Sequence, residues 1–169
     1  MPTKLFITYN PANPEEQALA TRLYTIASVN GFSAYLPDRF HGPEFLEPST
    51  RQRIQQADYI LFISFGKFSE TVKQEINFAL KSAEKTRNQI LLIFSTTSGK
   101  NLTNTDGMNF ELFNPLKDSP EGFSQKLVNQ LHAKENQKLK NDSDSSKALA
   151  TLLGIGLGMV ILGSLSDEK

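Results

Sequence analysis

Glu75 is the residue in this sequence best placed to do chemistry. It falls three residues after Val72 and four before Ala79, so on a helical wheel it borders the apolar stripe and does not face open water. A carboxyl in that position is partly desolvated, which raises its pKa or poises its anion against a developing cation. By the same spacing Glu70, Lys73 and Glu84 are solvated. The competing role for Glu75 is a structural ion pair with a nearby Lys or Arg. The second candidate is the segment Pro37–Pro48, which places Asp38, Arg39, Phe40 and His41 in one long loop. Connections of this kind usually run to about 2–6 residues, and longer ones are often lids. Its alternative role is a connector whose aromatic residues pack on a neighbouring subunit. His132 stands among Lys and Gln and reads as a surface residue.

Several chemistries are excluded. There is no Cys, so thiolate nucleophiles, disulfides and Cys-ligated zinc are absent. Two His with few carboxylates around them argue against a metal site. Neither a dinucleotide-binding GxGxxG nor a P-loop occurs, and no GxSxG elbow is present. Lys+Arg and Asp+Glu both number 18, and a zero net charge argues against a nucleic-acid partner.

The elements that must position these residues alternate between two hydrophobic periods. Lys4–Tyr9, Phe32–Leu36, Tyr59–Ser64, Gln89–Phe94 and Phe110–Phe113 read as strands. The third and fourth are apolar almost throughout, as strands covered on both faces should be. Asn13 and Pro14 open a helix with Glu15 and Glu16 in its first turn, where carboxylates complement the dipole, and Asn30-Gly31 ends it. Further helices are expected over Ser49–Gln56, from the cap Ser69 to Ser82, and over Pro120–Ala133. Asp58, just before the third strand, should lie at the bottom of the sheet in a structural role. Such alternation predicts a doubly wound, five-stranded parallel α/β sheet of flavodoxin-like type. Ligands bind such sheets beyond the carboxyl ends of the strands.

The amino-terminal segment lacks the features of a secretory signal, so residues 1–134 are expected to form a cytoplasmic domain. Residues 135–147 read as a polar linker, and Ala148–Ser166 carry no charge. As a helix that last segment would span about 28 Å, against a hydrocarbon core of about 30 Å. Gly154 and Gly158 form a small-xxx-small pair, and lysines precede the segment. A C-terminal membrane anchor or an oligomerisation helix is expected there.

The chain resembles a TIR domain between about Lys4 and Leu131. Phe6-Ile7-Thr8-Tyr9 is close to the family's first box, FISY. Gly31-Phe32 with Tyr35 and Asp38 is similar to its second strand and following loop, and Ala57-Asp58-Tyr59-Ile60 to the step before its third. Ser64, Phe68, Ser69, Glu75 and Ile76 resemble the S-x-x-Y-x-x-S-x-W-C-x-x-E-L stretch, with Thr71-Val72 in place of Trp-Cys and one residue fewer between Ser64 and Ser69. The resemblance implies an NAD⁺ glycohydrolase or ADP-ribosyl cyclase, with Glu75 catalytic and NAD⁺ as substrate, no further cofactor and no metal. It implies that Tyr9 and Asn10 flank the adenine or ribose, that the Pro37–Pro48 loop moves to admit substrate, and that Ser64, Phe68 and Ser69 form the remaining wall. It also implies homo-oligomers through TIR–TIR contacts and a setting in antiphage defence. A non-enzymatic TIR adaptor is the alternative from another class. Nucleoside 2-deoxyribosyltransferases are similar too, through Leu36-Pro37-Asp38-Arg39 and Glu75, although Ser69 stands where they carry an Asp.

Overall fold

A computed structural model describes residues 1–40, 45–66, 68–82, 90–95 and 109–140. The strands are β1 (Lys4–Thr8), β2 (Ser33–Tyr35), β3 (Tyr59–Ser64), β4 (Ile90–Ser95) and β5 (Asn109–Phe113). Between and after them run α1 (Pro14–Val29), α2 (Pro48–Gln56), α3 (Glu70–Ser82) and α4 (Pro120–Lys140). The sheet order is β2-β1-β3-β4-β5, and every pairing is parallel. This is the flavodoxin-like doubly wound fold expected from the alternation of apolar runs.

The alternation of side chains along the strands divides the core in two. Leu5, Ile7, Leu61, Ile63, Leu91 and Ile93 pack under α1 and α4 with Leu19, Leu23, Leu127 and Leu131. Phe6, Ile60, Phe62, Leu92 and Phe94 face the other way, under α2 and α3, with Ile54, Val72, Ile76 and Ala79. Both sets are buried, which is why β3 and β4 read as unbroken apolar strings.

Local chemistry sets the element ends. Asn13 caps α1, its side chain accepting from the backbone N–H groups of Glu15 and Glu16, and Pro14 opens the first turn. At the other end the Asn30 N–H donates to Ile26 O, and the Phe32 N–H to Ala27 O. Closing that turn puts Gly31 at φ +88°, a conformation a Cβ resists. Asp58 accepts from the Lys4 N–H at 2.8 Å, tying β1 to β3 at the lower edge of the sheet, a structural role as expected. Helix α4 extends to Lys140, into the segment read as the start of a polar linker. Glu135 is held there by the Tyr59 hydroxyl at 2.7 Å and the Thr3 hydroxyl at 3.1 Å. The segment 148–166 lies outside the described residues. Among the described residues no helix is long and apolar enough to cross a membrane, so the expected membrane association finds no support in them.

Candidate functional site

In a sheet of this order the crevice opens where the winding reverses, above the carboxyl ends of β1 and β3. Thr8 ends β1 there, fully buried, and its hydroxyl donates to Glu75 Oε2. Glu75 sits on the inner face of α3, in the second turn from the end that points at the crevice. It is 1% exposed, so it lies deeper than the border position expected of it.

Arg39 reaches the same point from the loop after β2. One guanidinium nitrogen, Nη2, donates to Tyr9 O at 2.7 Å and to Thr8 Oγ1 at 3.1 Å. The same nitrogen is 3.4 Å from Glu75 Oε2 and 3.5 Å from Oε1. The guanidinium carbon lies 4.9 Å above the Tyr9 ring, a cation–π arrangement. Thus one nitrogen serves three partners, while Nε and Nη1 are buried with no hydrogen-bond partner among the described residues. Buried N–H donors are almost always satisfied, so two orphans on one cation mark a place for an acceptor. Burial pushes the Glu75 carboxyl above the ordinary carboxylate range, and Arg39 and the Thr8 hydroxyl only partly oppose it. The result is a buried carboxyl with a raised pKa against a cation with two donors left over.

The remaining expected site residues divide. Tyr9 contributes its ring and its carbonyl to Arg39. Asp38 does not enter the crevice. It turns towards α2, where Ser49 Oγ donates to Oδ2 at 2.7 Å and Arg53 Nη1 lies 2.9 Å from Oδ1. These contacts, led by Ser49, hold its carboxyl below the ordinary range against partial burial. The Asp38 N–H donates to Thr50 Oγ1 at 3.0 Å, so the residue clamps the loop to α2 and thereby positions Arg39. Asn10 is spent on its own turn, its Oδ1 accepting from the Ala12 N–H at 3.0 Å. Ser64 donates to Gly66 O at 3.0 Å, and Ser69 Oγ caps α3 by accepting from the Val72 N–H at 3.3 Å. Phe68 packs edge-on to Phe94. None of these three hydrogen-bonds to Glu75 among the described contacts. His41 lies outside the described residues. Among the described residues no three His, Asp or Glu side chains gather as metal ligands would.

Two residues that matter were not singled out as site residues from sequence. Thr8 is the one polar residue that closes the apolar run of β1, which is the signal that could have found it. Glu16 was placed only as a dipole-complementing residue. It is 1% exposed, and it stands three residues after the cap Asn13, the spacing of a capping box.

No family model matches the chain, and no curated protein matches it in sequence. Solved structures do. The metal-soaked flavodiiron core of a Synechocystis protein aligns with a TM-score of 0.51 at 14% identity, over 83% of this chain and 37% of that one. A diflavin flavoprotein A3 from Nostoc aligns at 0.49 and 13%, over 84% of this chain and 96% of that one. A flavodoxin-like domain from Synechococcus aligns at 0.48 and 14%, over 81% and 99%. The chain thus spans little more than a third of the first of these, and at such identities the likeness shows the fold.

The similar structure with a TM-score above 0.5 is a flavodiiron core, and no match to a TIR or deoxyribosyltransferase family accompanies it. The NAD⁺ glycohydrolase or cyclase with its antiphage setting is set aside, as are the adaptor and transferase stated beside it. The expectation of a protein with NAD⁺ as substrate and no cofactor falls with them, since the similar structure is a flavodiiron core. The physical reason is that the apolar strands and capped helices that carried the resemblance are demands of the sheet. They recur wherever this fold occurs, whatever reaction it hosts.

Proposed function

We propose that this chain is an enzyme of flavodoxin-like fold that takes an anionic ligand in the crevice above β1 and β3. Arg39 anchors the anion, and Glu75 gives or takes a proton beside it. The observation that carries the reading is the pair of buried, unpartnered donors on Arg39, Nε and Nη1, next to a buried carboxyl with a raised pKa. A planar guanidinium with two free N–H groups matches the two oxygens of a carboxylate or phosphate. A carboxyl whose pKa is raised above the ordinary range is suited to general acid–base work.

A flavin is the group that the likeness to a flavodiiron core suggests. Flavin chemistry would supply electron transfer to this crevice. The residues after β1 do not fit the phosphate of a mononucleotide held at α1, however. That seat requires free backbone amides at the helix start. Here the segment Asn10–Asn13 has no glycine, and its amides are already engaged. No redox step is therefore derived.

The test is binding. Inorganic phosphate and acetate are titrated into the full chain while its melting temperature is followed, with Arg39→Met in parallel. A saturable rise that disappears in Arg39→Met is expected. Calorimetry of the same titration in two buffers of different ionisation enthalpy should show proton uptake, because an anion near Glu75 raises its pKa further, and Glu75→Gln should abolish that uptake. Stabilisation of equal size in Arg39→Met, or no saturable effect of either anion, would refute the reading.

The resemblance to TIR domains, with the deoxyribosyltransferases second, is kept as a proposal about ancestry, supported by the order and spacing of the segments that carry it. Self-association through the domain is a proposal that rests on the same resemblance. Sedimentation velocity of the full chain tests it.

A further inference from the structure

The start of α1 faces the crevice, and in this sheet order it is where an anionic ligand would ordinarily be received. In this chain every donor there is already taken. The Asn10 N–H donates to Glu16 Oε2 at 2.8 Å, and the Ala12 N–H to Asn10 Oδ1 at 3.0 Å. The Asn13 N–H donates to Asn10 O at 3.0 Å. The N–H groups of Glu15 and Glu16 donate to Asn13 Oδ1 at 3.0 and 3.3 Å, and that of Gln17 to Asn13 O at 3.0 Å. Pro11 and Pro14 have no N–H to offer. From the adjoining loop after β3, the Phe65 N–H donates to Glu16 Oε1 at 2.7 Å, and Asn13 Nδ2 adds a third partner at 3.2 Å.

Two amides from separate loops and one side-chain amide therefore converge on the Glu16 carboxylate, as they would on two oxygens of a phosphate. We propose that Glu16 is a built-in anion filling the seat at α1. It is a specificity-determining residue that rejects ligands held there by phosphate and leaves Arg39, across β1, as the anchor for the ligand's negative group. Only the mention of Arg39 rests on the function proposed above. The occupancy of the seat is independent of it.

The test uses the full chain and inorganic phosphate, followed by calorimetry, in Arg39→Met and in the double variant Glu16→Ala/Arg39→Met. Freeing the converged amides should restore phosphate binding at least about tenfold over Arg39→Met alone. No gain in the double variant would overturn the proposal. Because Glu16→Ala loosens two loops, the wild-type protein supplies a second measurement that needs no variant. Its Asn10 and Phe65 amide resonances should not titrate with phosphate up to saturation. Saturable shifts at both would show the seat open to external anions and would overturn the proposal. A wild type that binds no phosphate, together with a gain on replacing Glu16 alone by Ala, would sink the Arg39 anchor while supporting the filled seat.

Discussion

Replacing Arg39 by Met should destabilise the protein chiefly by abandoning Glu75, and the loss should depend on pH. Breaking a well-formed buried ion pair costs about 3–5 kcal/mol, because it leaves a buried charge uncompensated. Here the approach is looser, with Nη2 at 3.4–3.5 Å from the carboxylate oxygens and Arg39 15% exposed. Glu75 also escapes part of the cost by taking up a proton. Both effects bring the expected loss below that range, to about 2 kcal/mol at pH 8. At about 2–4 °C per kcal/mol for a chain of this size, the melting temperature falls by about 4–8 °C. The sign of the pH effect is fixed by burial, which raises the Glu75 pKa above its ordinary 4.5. A raised group contributes stability that is fully present below the ordinary value and lost as pH rises through the folded one. Glu75→Gln, which cannot ionise, should therefore flatten the pH dependence, whereas Arg39→Met removes an opposing cation and should steepen it. The assay is urea unfolding of the wild type, both single variants and the double variant at pH 5 and pH 8. A coupling of about 1–2 kcal/mol is expected at pH 8, within the range found for residues in contact. Additivity to within about 0.5 kcal/mol, or a loss from Arg39→Met as large at pH 5 as at pH 8, would refute the reasoning.

Two further predictions concern the elements that hold the site. Ser49→Ala removes the main contact that depresses the Asp38 pKa, and should cost about 1 kcal/mol at pH 7. That contribution is present above the ordinary 3.8 and lost as pH falls through the lower folded value, so denaturation curves of variant and wild type should converge in acid. Gly31→Ala forces a Cβ into the left-handed region at φ +88° and should cost about 1–2 kcal/mol. A thermal unfolding midpoint unchanged by Gly31→Ala would show that the turn relaxes more easily than its hydrogen bonds imply.

The amino-acid sequence by itself determined the elements and their kind. Unbroken apolar runs such as Tyr59–Ser64 can be satisfied only by a strand covered on both faces, and Asn13-Pro14 and Asn30-Gly31 mark the ends of α1 through purely local hydrogen bonding. From these the parallel α/β sheet followed, and with it the placing of Glu75 near the crevice, because helical spacing alone puts that residue beside Val72 and Ala79. Partners distant in the chain were a matter for the tertiary structure. Asp38 and Arg39 are adjacent and both polar, yet one turns to α2 and the other crosses to Thr8 and Glu75, a choice set by the Ser49 and Thr50 hydroxyls in α2. Glu15 and Glu16 share the same helical turn and the same attraction to its dipole. Only Glu16 points inward, where the Phe65 amide, 49 residues away, meets it, and no local propensity carries that information. The activity drawn from the family resemblance failed for the same reason. Apolar strands and helix caps are required by the fold, whereas the direction in which Arg39 and Glu16 aim their charges is decided only when separate loops are brought to one end of the sheet.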